Sequence, residues 1–218
     1  MAAHAHNPVR LLRALLATIE KDIIPLTAQG VSSGSKVFGA AILSRATLQP
    51  LAVATNDERL SPLLHGEINC IQRFFTTLDD ASRPSTKDCI FLATHEPCSL
   101  CLSGITWAGF DNFHYLFTYE DSRDLFTIPY DIQILEEVFR VPAEGESGEQ
   151  LARRDLYNRR NAFFASVCLK DLLDDIRDDV QREGWAAEVD RVKRLYVVLS
   201  DTYQRNKQMG TRTASFWR

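Results

Sequence analysis

The sequence predicts an α/β domain followed by a helical extension. Short apolar runs of strand length alternate with segments of helical period as far as Phe139. A linker composition follows, and beyond it apolar spacings of three and four dominate.

Pro8 opens the first helical pattern, in which Leu11, Leu12, Leu15, Leu16, Ile19 and Ile23 share a face until Pro25 closes the run. A Gly/Ser-rich turn at residues 30–35 leads into a β-type run at 37–43. Residues 50–55 give a second, so 45–49 read as a hairpin connection. Residues 65–75 are helical, with Ile68, Ile71 and Phe75 on one face. After a polar loop at 79–87, residues 89–94 form an apolar run short enough for a buried strand. Pro97 begins another helix and 113–118 another strand. Residues 129–139 are helical, with Ile132, Leu135 and Phe139 inward.

Residues 142–148, Pro-Ala-Glu-Gly-Glu-Ser-Gly, have linker composition. They divide a domain at 1–141 from a helical extension at 149–218 that packs on the core or on a dimer mate. In the extension, Leu169, Leu172, Leu173, Ile176 and Val180 make one apolar stripe between aspartates. Trp185, Val189, Val192, Tyr196, Leu199 and Tyr203 form a helix-packing seam.

A chain of 218 residues suffices for one domain with a full core. With 45% apolar and 25% charged residues its composition is that of a soluble globular protein. A net charge of −4 argues against a surface built throughout for nucleic acid. Seven basic residues between Arg191 and Arg218 face the single Asp201. That basic end reads as lying back on the acidic residues of 171–190, so nucleic acid is a partner the sequence allows but does not favour. No apolar run reaches the roughly 20 residues of a membrane span. Residues 11–24 carry Arg13, Glu20, Lys21 and Asp22 and read as an amphipathic helix, not a signal peptide. Five cysteines, an odd number without an export signal, point to free or metal-bound thiols in a reducing, cytoplasmic setting.

One constellation carries chemistry. His65-Gly66-Glu67 is followed, after one loop and one strand, by Pro97-Cys98-Ser99-Leu100-Cys101. Cys98 and Cys101 lie three apart at a helix start, so both sulfurs project from one face, where the helix N-terminus favours thiolates. Two thiolates and an imidazole supply three zinc ligands. No further Cys or His stands at finger-like spacing, which leaves the fourth position open to water. Glu67 is close enough to exchange a proton with that water and then with a leaving amine. The H-x-E…P-C-x-x-C arrangement is the signature of zinc deaminases.

These residues, with Thr94-His95-Glu96 ahead of Pro97, resemble the cytidine deaminase superfamily in its nucleobase, deoxycytidylate and tRNA-adenosine deaminase branches. Gly104-Ile105-Thr106-Trp107-Ala108 is also similar to the helix after the zinc cysteines in guanine deaminases. The likeness covers residues 37–139. It implies a three-layer α/β/α fold with a central mixed five-stranded sheet, and Zn2+ held by His65, Cys98 and Cys101 at two helix N-termini. Glu67 becomes the catalytic proton shuttle. Asn56 stands where the family places a substrate-binding asparagine. Asp121 and Asp124 stand where substrate-reading residues occur, with loop capping as their competing role. Trp107 is a further substrate-side candidate. The terminal Phe216 and Trp217 resemble the aromatic C-terminus that closes over the base in guanine and fungal cytosine deaminases; an anchor in the core or in a dimer mate is the alternative.

The implied activity is hydrolytic deamination of a small aminated heterocycle of nucleobase type by zinc-bound hydroxide, in a protein expected to be a homodimer. A nucleoside, nucleotide or tRNA base is the alternative substrate, and a non-catalytic scaffold stabilised by zinc the alternative of a different class. His95, His114, Cys70, Cys89 and Cys168 read as packed core side chains.

Overall fold

The computed structural model describes residues 6–211. Helix α1 (Pro8–Thr18) starts on Asn7, whose Oδ1 accepts from the N–H groups of Val9 and Arg10. Its leucine face is buried as the spacing predicts. The run does not end at Pro25. A π-turn over Ile19–Ile23 takes in an extra residue, with Ile24 N–H donating to Ile19 O. The proline therefore falls in the first turn of α2 (Ile24–Ser32), where a missing N–H costs little.

Strands β1 (Gly39–Ser44) and β2 (Pro50–Thr55) form the expected antiparallel hairpin. β1 also pairs antiparallel with β3 (Cys89–His95), which runs parallel to β4 (Asn112–Phe117). The fifth strand, β5 (Ala165–Cys168), runs parallel to β4 and completes a mixed sheet in the order β2-β1-β3-β4-β5. Residues beyond the linker are thus not helical throughout. The run Ala-Ser-Val-Cys is too short and too small-sided to declare itself, and only its pairing with β4 makes it a strand.

Helices cover both faces. Ile90 and Leu92 of β3 pack on the side of α1, and Cys89, Phe91 and Ala93 on the other, so the strand is buried along its whole length. The second layer is α3 (Gly66–Thr77) with α4 (Ser99–Trp107). Cys70 and Phe74, not Phe75, carry α3 onto the sheet, and Phe75 is 40% exposed. Ile68 and Ile71 turn instead towards α4, where both reach the bare backbone of Gly104.

After β4 come α5 (Tyr119–Phe126) and α6 (Tyr130–Ile134), the latter running into a π-turn over Leu135–Phe139. Leu135 is buried, but Phe139 is 56% exposed, because the chain turns extended at Arg140 and leaves along the surface. A short α7 (Gly148–Ala152) precedes β5.

The stripe from Leu169 to Val180 is broken too. Leu169, Leu172, Leu173 and Ile176 are buried around a 3-10 turn, while Val180 is 80% exposed. The aspartates act as caps here: Asp171 accepts from Cys168 N–H, and Asp178 from Gln181 N–H at the start of α8 (Asp179–Gln208). Val189, Val192, Tyr196, Leu199 and Tyr203 bury the expected seam of α8 against the first core layer. Two cations of its basic stretch reach acids both inside and outside 171–190: Arg191 forks onto Glu20 as well as Glu188, and Lys193 reaches Asp121. Among the described residues no helix is long and apolar enough to cross a membrane.

Candidate active site

The N-termini of α3 and α4 meet beside the end of β3. His65 is the extended residue capping α3, and Glu67 lies in its first turn. Cys98 holds the same position at α4, so Pro97 precedes the helix instead of opening it, and Cys101 sits one turn in. Both helix ends direct unpaired N–H groups and positive dipole ends towards one point, which favours thiolates. Gly66 lets α3 come this close, because a β-carbon there would stand 2.7 Å from the α-carbon of Gly39.

His65 Nδ1 is 3.4 Å from Cys98 Sγ and 3.7 Å from Cys101 Sγ. The three donor atoms lie within 4.8 Å of one another. With ordinary zinc–sulfur and zinc–nitrogen lengths, the sulfur–nitrogen edge of a tetrahedral site is about 3.6 Å. The donors are therefore already at ligand spacing, and their chemistry is that of zinc. Without the metal, protons fill its place. A hydrogen bond from Cys101 holds the Cys98 thiol well below its usual range, assisted by His65 against the effect of burial. Burial pushes Cys101 well up, and Cys98's charge adds to this. Burial pulls His65 down, but the hydrogen bond and charge of Cys98 outweigh it and raise the imidazole to about 9.

Residues 24–117 match the family described as the cytidine and deoxycytidylate deaminase zinc-binding region. Those residues form a zinc-binding, deaminase-like region. A region of this kind supports a hydrolase activity on C–N bonds. No curated protein matches the chain. Among solved structures, guanine deaminase from Bacillus subtilis is 23% identical with a TM-score of 0.47, covering 65% of this chain and 82% of its own. Guanine deaminase from Nitrosomonas europaea is 17% identical with a TM-score of 0.44, covering 88% and 96%. A structure from work on A-to-I editing by tRNA:A34 deaminases is 14% identical with a TM-score of 0.42, covering 79% and 99%.

Glu67 is 5% exposed beside these ligands. Burial first, and then the charge of Cys98, push its carboxyl up to about 7. Asn56 is 1% exposed. Its Oδ1 accepts from Gly66 N–H at 2.6 Å, tying the end of β2 to the helix of His65 and Glu67. Its Nδ2 has no partner among the described residues, a costly state for a buried donor.

The other substrate-side candidates have the following surroundings. Asp121 caps α5: its Oδ2 accepts from Thr118 N–H and from Lys193 Nζ. Asp124 is exposed and paired with Arg123. Trp107 is 91% exposed at the end of α4. Phe216 and Trp217 lie outside the described residues. His95 is buried between Phe38, Phe117 and Phe126, where burial keeps it neutral.

Three features of the structure escape sequence reading. Asp131 on α6 lies within the field of the site; burial, and then the charge of Cys98, push its carboxyl up to about 8. Lys36 and Glu58 form a buried ion pair at 2.5 Å, and Glu58 also accepts from Lys36 N–H. Glu96 is buried directly ahead of Pro97, accepting from Tyr119 N–H and from the Tyr157 hydroxyl. No local pattern marks Asp131 or the Lys36–Glu58 pair, and Glu96 stands in the motif without its partners being legible, because each acquires its neighbours only through folding. The one available signal was a charged residue in an otherwise apolar or turn segment.

Proposed function

We propose that this protein removes the exocyclic amino group of a small aminated heterocycle of nucleobase type by hydrolysis. The observation that carries the reading is Glu67: a buried carboxyl with a raised pKa, packed against three side chains at zinc-ligand spacing. Zinc, when bound, is held by His65, Cys98 and Cys101 and lowers the pKa of water towards neutrality.

The rest falls to the chain's own side chains. The Glu67 carboxylate takes a proton from the attacking water, whose oxygen bonds to the amidine carbon of the ring. Glu67 then delivers that proton to the amino nitrogen, the C–N bond breaks, and ammonia leaves while the ring keeps the oxygen. Asn56, locked by Gly66, offers Nδ2 to an acceptor on the ring. Burial around Glu67 keeps bulk water from competing for the proton.

A small ligand is favoured over a nucleic acid because the leading cations of the basic end are engaged: Arg191 with Glu20 and Glu188, Lys193 with Asp121. Ammonia release from zinc-loaded protein, screened over free bases, nucleosides, nucleotides and other aminated heterocycles, tests the reading. Turnover of a free ring supports it. Turnover confined to nucleotides or to tRNA would replace the substrate class, and silence across the panel would favour the scaffold.

A further inference from the structure

Glu96 is 2% exposed, and the donors it uses come from distant segments. Tyr119 N–H reaches its Oε2 at 3.2 Å, the Tyr157 hydroxyl reaches Oε1 at 2.8 Å, and Arg159 stands 3.5 Å from Oε1. The following residue is held as well, because the Tyr119 hydroxyl donates to Pro97 O at 2.5 Å. Glu96 N–H donates to Phe117 O at 2.8 Å, so the turn into Cys98 is fixed by both backbone and side chain. Tyr157 is itself located by β5: its hydroxyl lies 3.2 Å from Ser166 Oγ, and Ser166 N–H donates to Arg159 O. The segment after the linker therefore reaches back to the cysteine turn through one phenol.

We propose that Tyr157 is a positioning residue for the metal centre: its hydroxyl holds Glu96, Glu96 and Tyr119 hold the Pro97 turn, and that turn presents the Cys98 sulfur to the metal. A buried carboxylate is tolerated only while its donors are in place. Removing the phenol hydroxyl leaves Glu96 with Tyr119 N–H, the half-exposed Arg159 and the more loosely placed Tyr115 hydroxyl. Glu96 then shifts towards water, and the turn moves with it. Groups that orient metal ligands in this way are typically worth about 10- to 100-fold in metal affinity or activity. The inference rests on the metal reading of His65, Cys98 and Cys101 and is independent of the substrate.

The experiment uses the full chain loaded with zinc, or with cobalt as a spectroscopic substitute. Tyr157→Phe keeps the ring contacts with Tyr119 and Phe164, so its fold is expected to survive. Zinc loss to excess chelator should be about tenfold faster than in wild type, with a changed thiolate–cobalt absorption band. Glu96→Gln should show a loss of the same kind. The double variant should be no worse than the worse single one, because both act through one contact. A lower melting temperature with unchanged metal release and cobalt spectrum would make Tyr157 a residue of the fold alone and overturn the proposal. Losses that simply multiply in the double variant would also overturn it. A wild-type chain that takes up no zinc would remove the metal reading itself, and this proposal with it.

Discussion

A β-carbon on Gly66 would stand 2.7 Å from the α-carbon of Gly39, so the first turn of α3 rests directly on the backbone of β1. His65 and Glu67 flank that contact, and their place relative to the sheet depends on it. Gly66→Ala should force α3 outward, costing about 1–3 kcal/mol of stability as overpacking does. It should also weaken zinc retention, since His65 moves with the helix. Denaturant unfolding of the metal-free and zinc-loaded variant checks this, and a variant as stable as wild type would show the contact to be soft.

The protons that occupy the metal-free site give zinc uptake a defined pH dependence. His65, raised to about 9, is protonated at neutral pH, and Cys101 keeps its thiol proton because burial holds its pKa well up. Both protons must leave when zinc binds, so affinity should fall steeply on acidification below about 9 and keep rising less steeply above it, where only the Cys101 proton remains. Cys98, already held as the thiolate, adds little to this slope. Chelator competition in weakly buffered solution should show about two protons released per zinc at neutral pH. Affinity unchanged between pH 6 and 9, taken as a range of about three units around the ordinary imidazole value, would contradict the assignment.

Asn56 holds Gly66 N–H with Oδ1 and leaves Nδ2 unpaired among the described residues, so the two atoms can be tested separately. Asn56→Asp keeps an acceptor for Gly66 N–H and removes the Nδ2 donor. Zinc content should survive, while kcat/KM falls by at least about tenfold, the usual cost of one lost hydrogen bond to a bound ligand. Unchanged turnover would mean that Nδ2 does not face the substrate.

Lys36 and Glu58 are both buried and hydrogen-bonded to each other. Lys36→Met strands the carboxylate and should cost about 3–5 kcal/mol, whereas Lys36→Met combined with Glu58→Gln should recover much of it. Urea unfolding of the single and double variants reads the difference. Equal losses in both would show that the charges do not interact.

Much of the site was legible in the sequence because metal chemistry is written in local spacing. Two helix starts, His65-Gly66-Glu67 and Pro97 to Cys101, each carry their ligands within one turn, so reading either required no knowledge of the fold. Asn56 came from the family resemblance alone, which places an asparagine after the second strand. Pro25 misled because a π-turn moved it into a first turn. β5 was hidden because four small residues become a strand only beside β4. Asp121 stood in the expected position, yet Thr118 and Lys193 claim its carboxylate. Asp131, Glu58 and Tyr157 acquire meaning only from partners far away in the chain, and no periodicity records such partners.

The central claim is that Glu67 moves the proton in a zinc-dependent hydrolysis. The most direct measurement compares wild type with Glu67→Gln for zinc per chain and for ammonia released from the heterocycle that wild type turns over best. The account predicts one zinc in each protein and a loss in turnover of about 100-fold or more for the variant. A variant that keeps its zinc and still turns over within about tenfold of wild type would contradict the role given to Glu67.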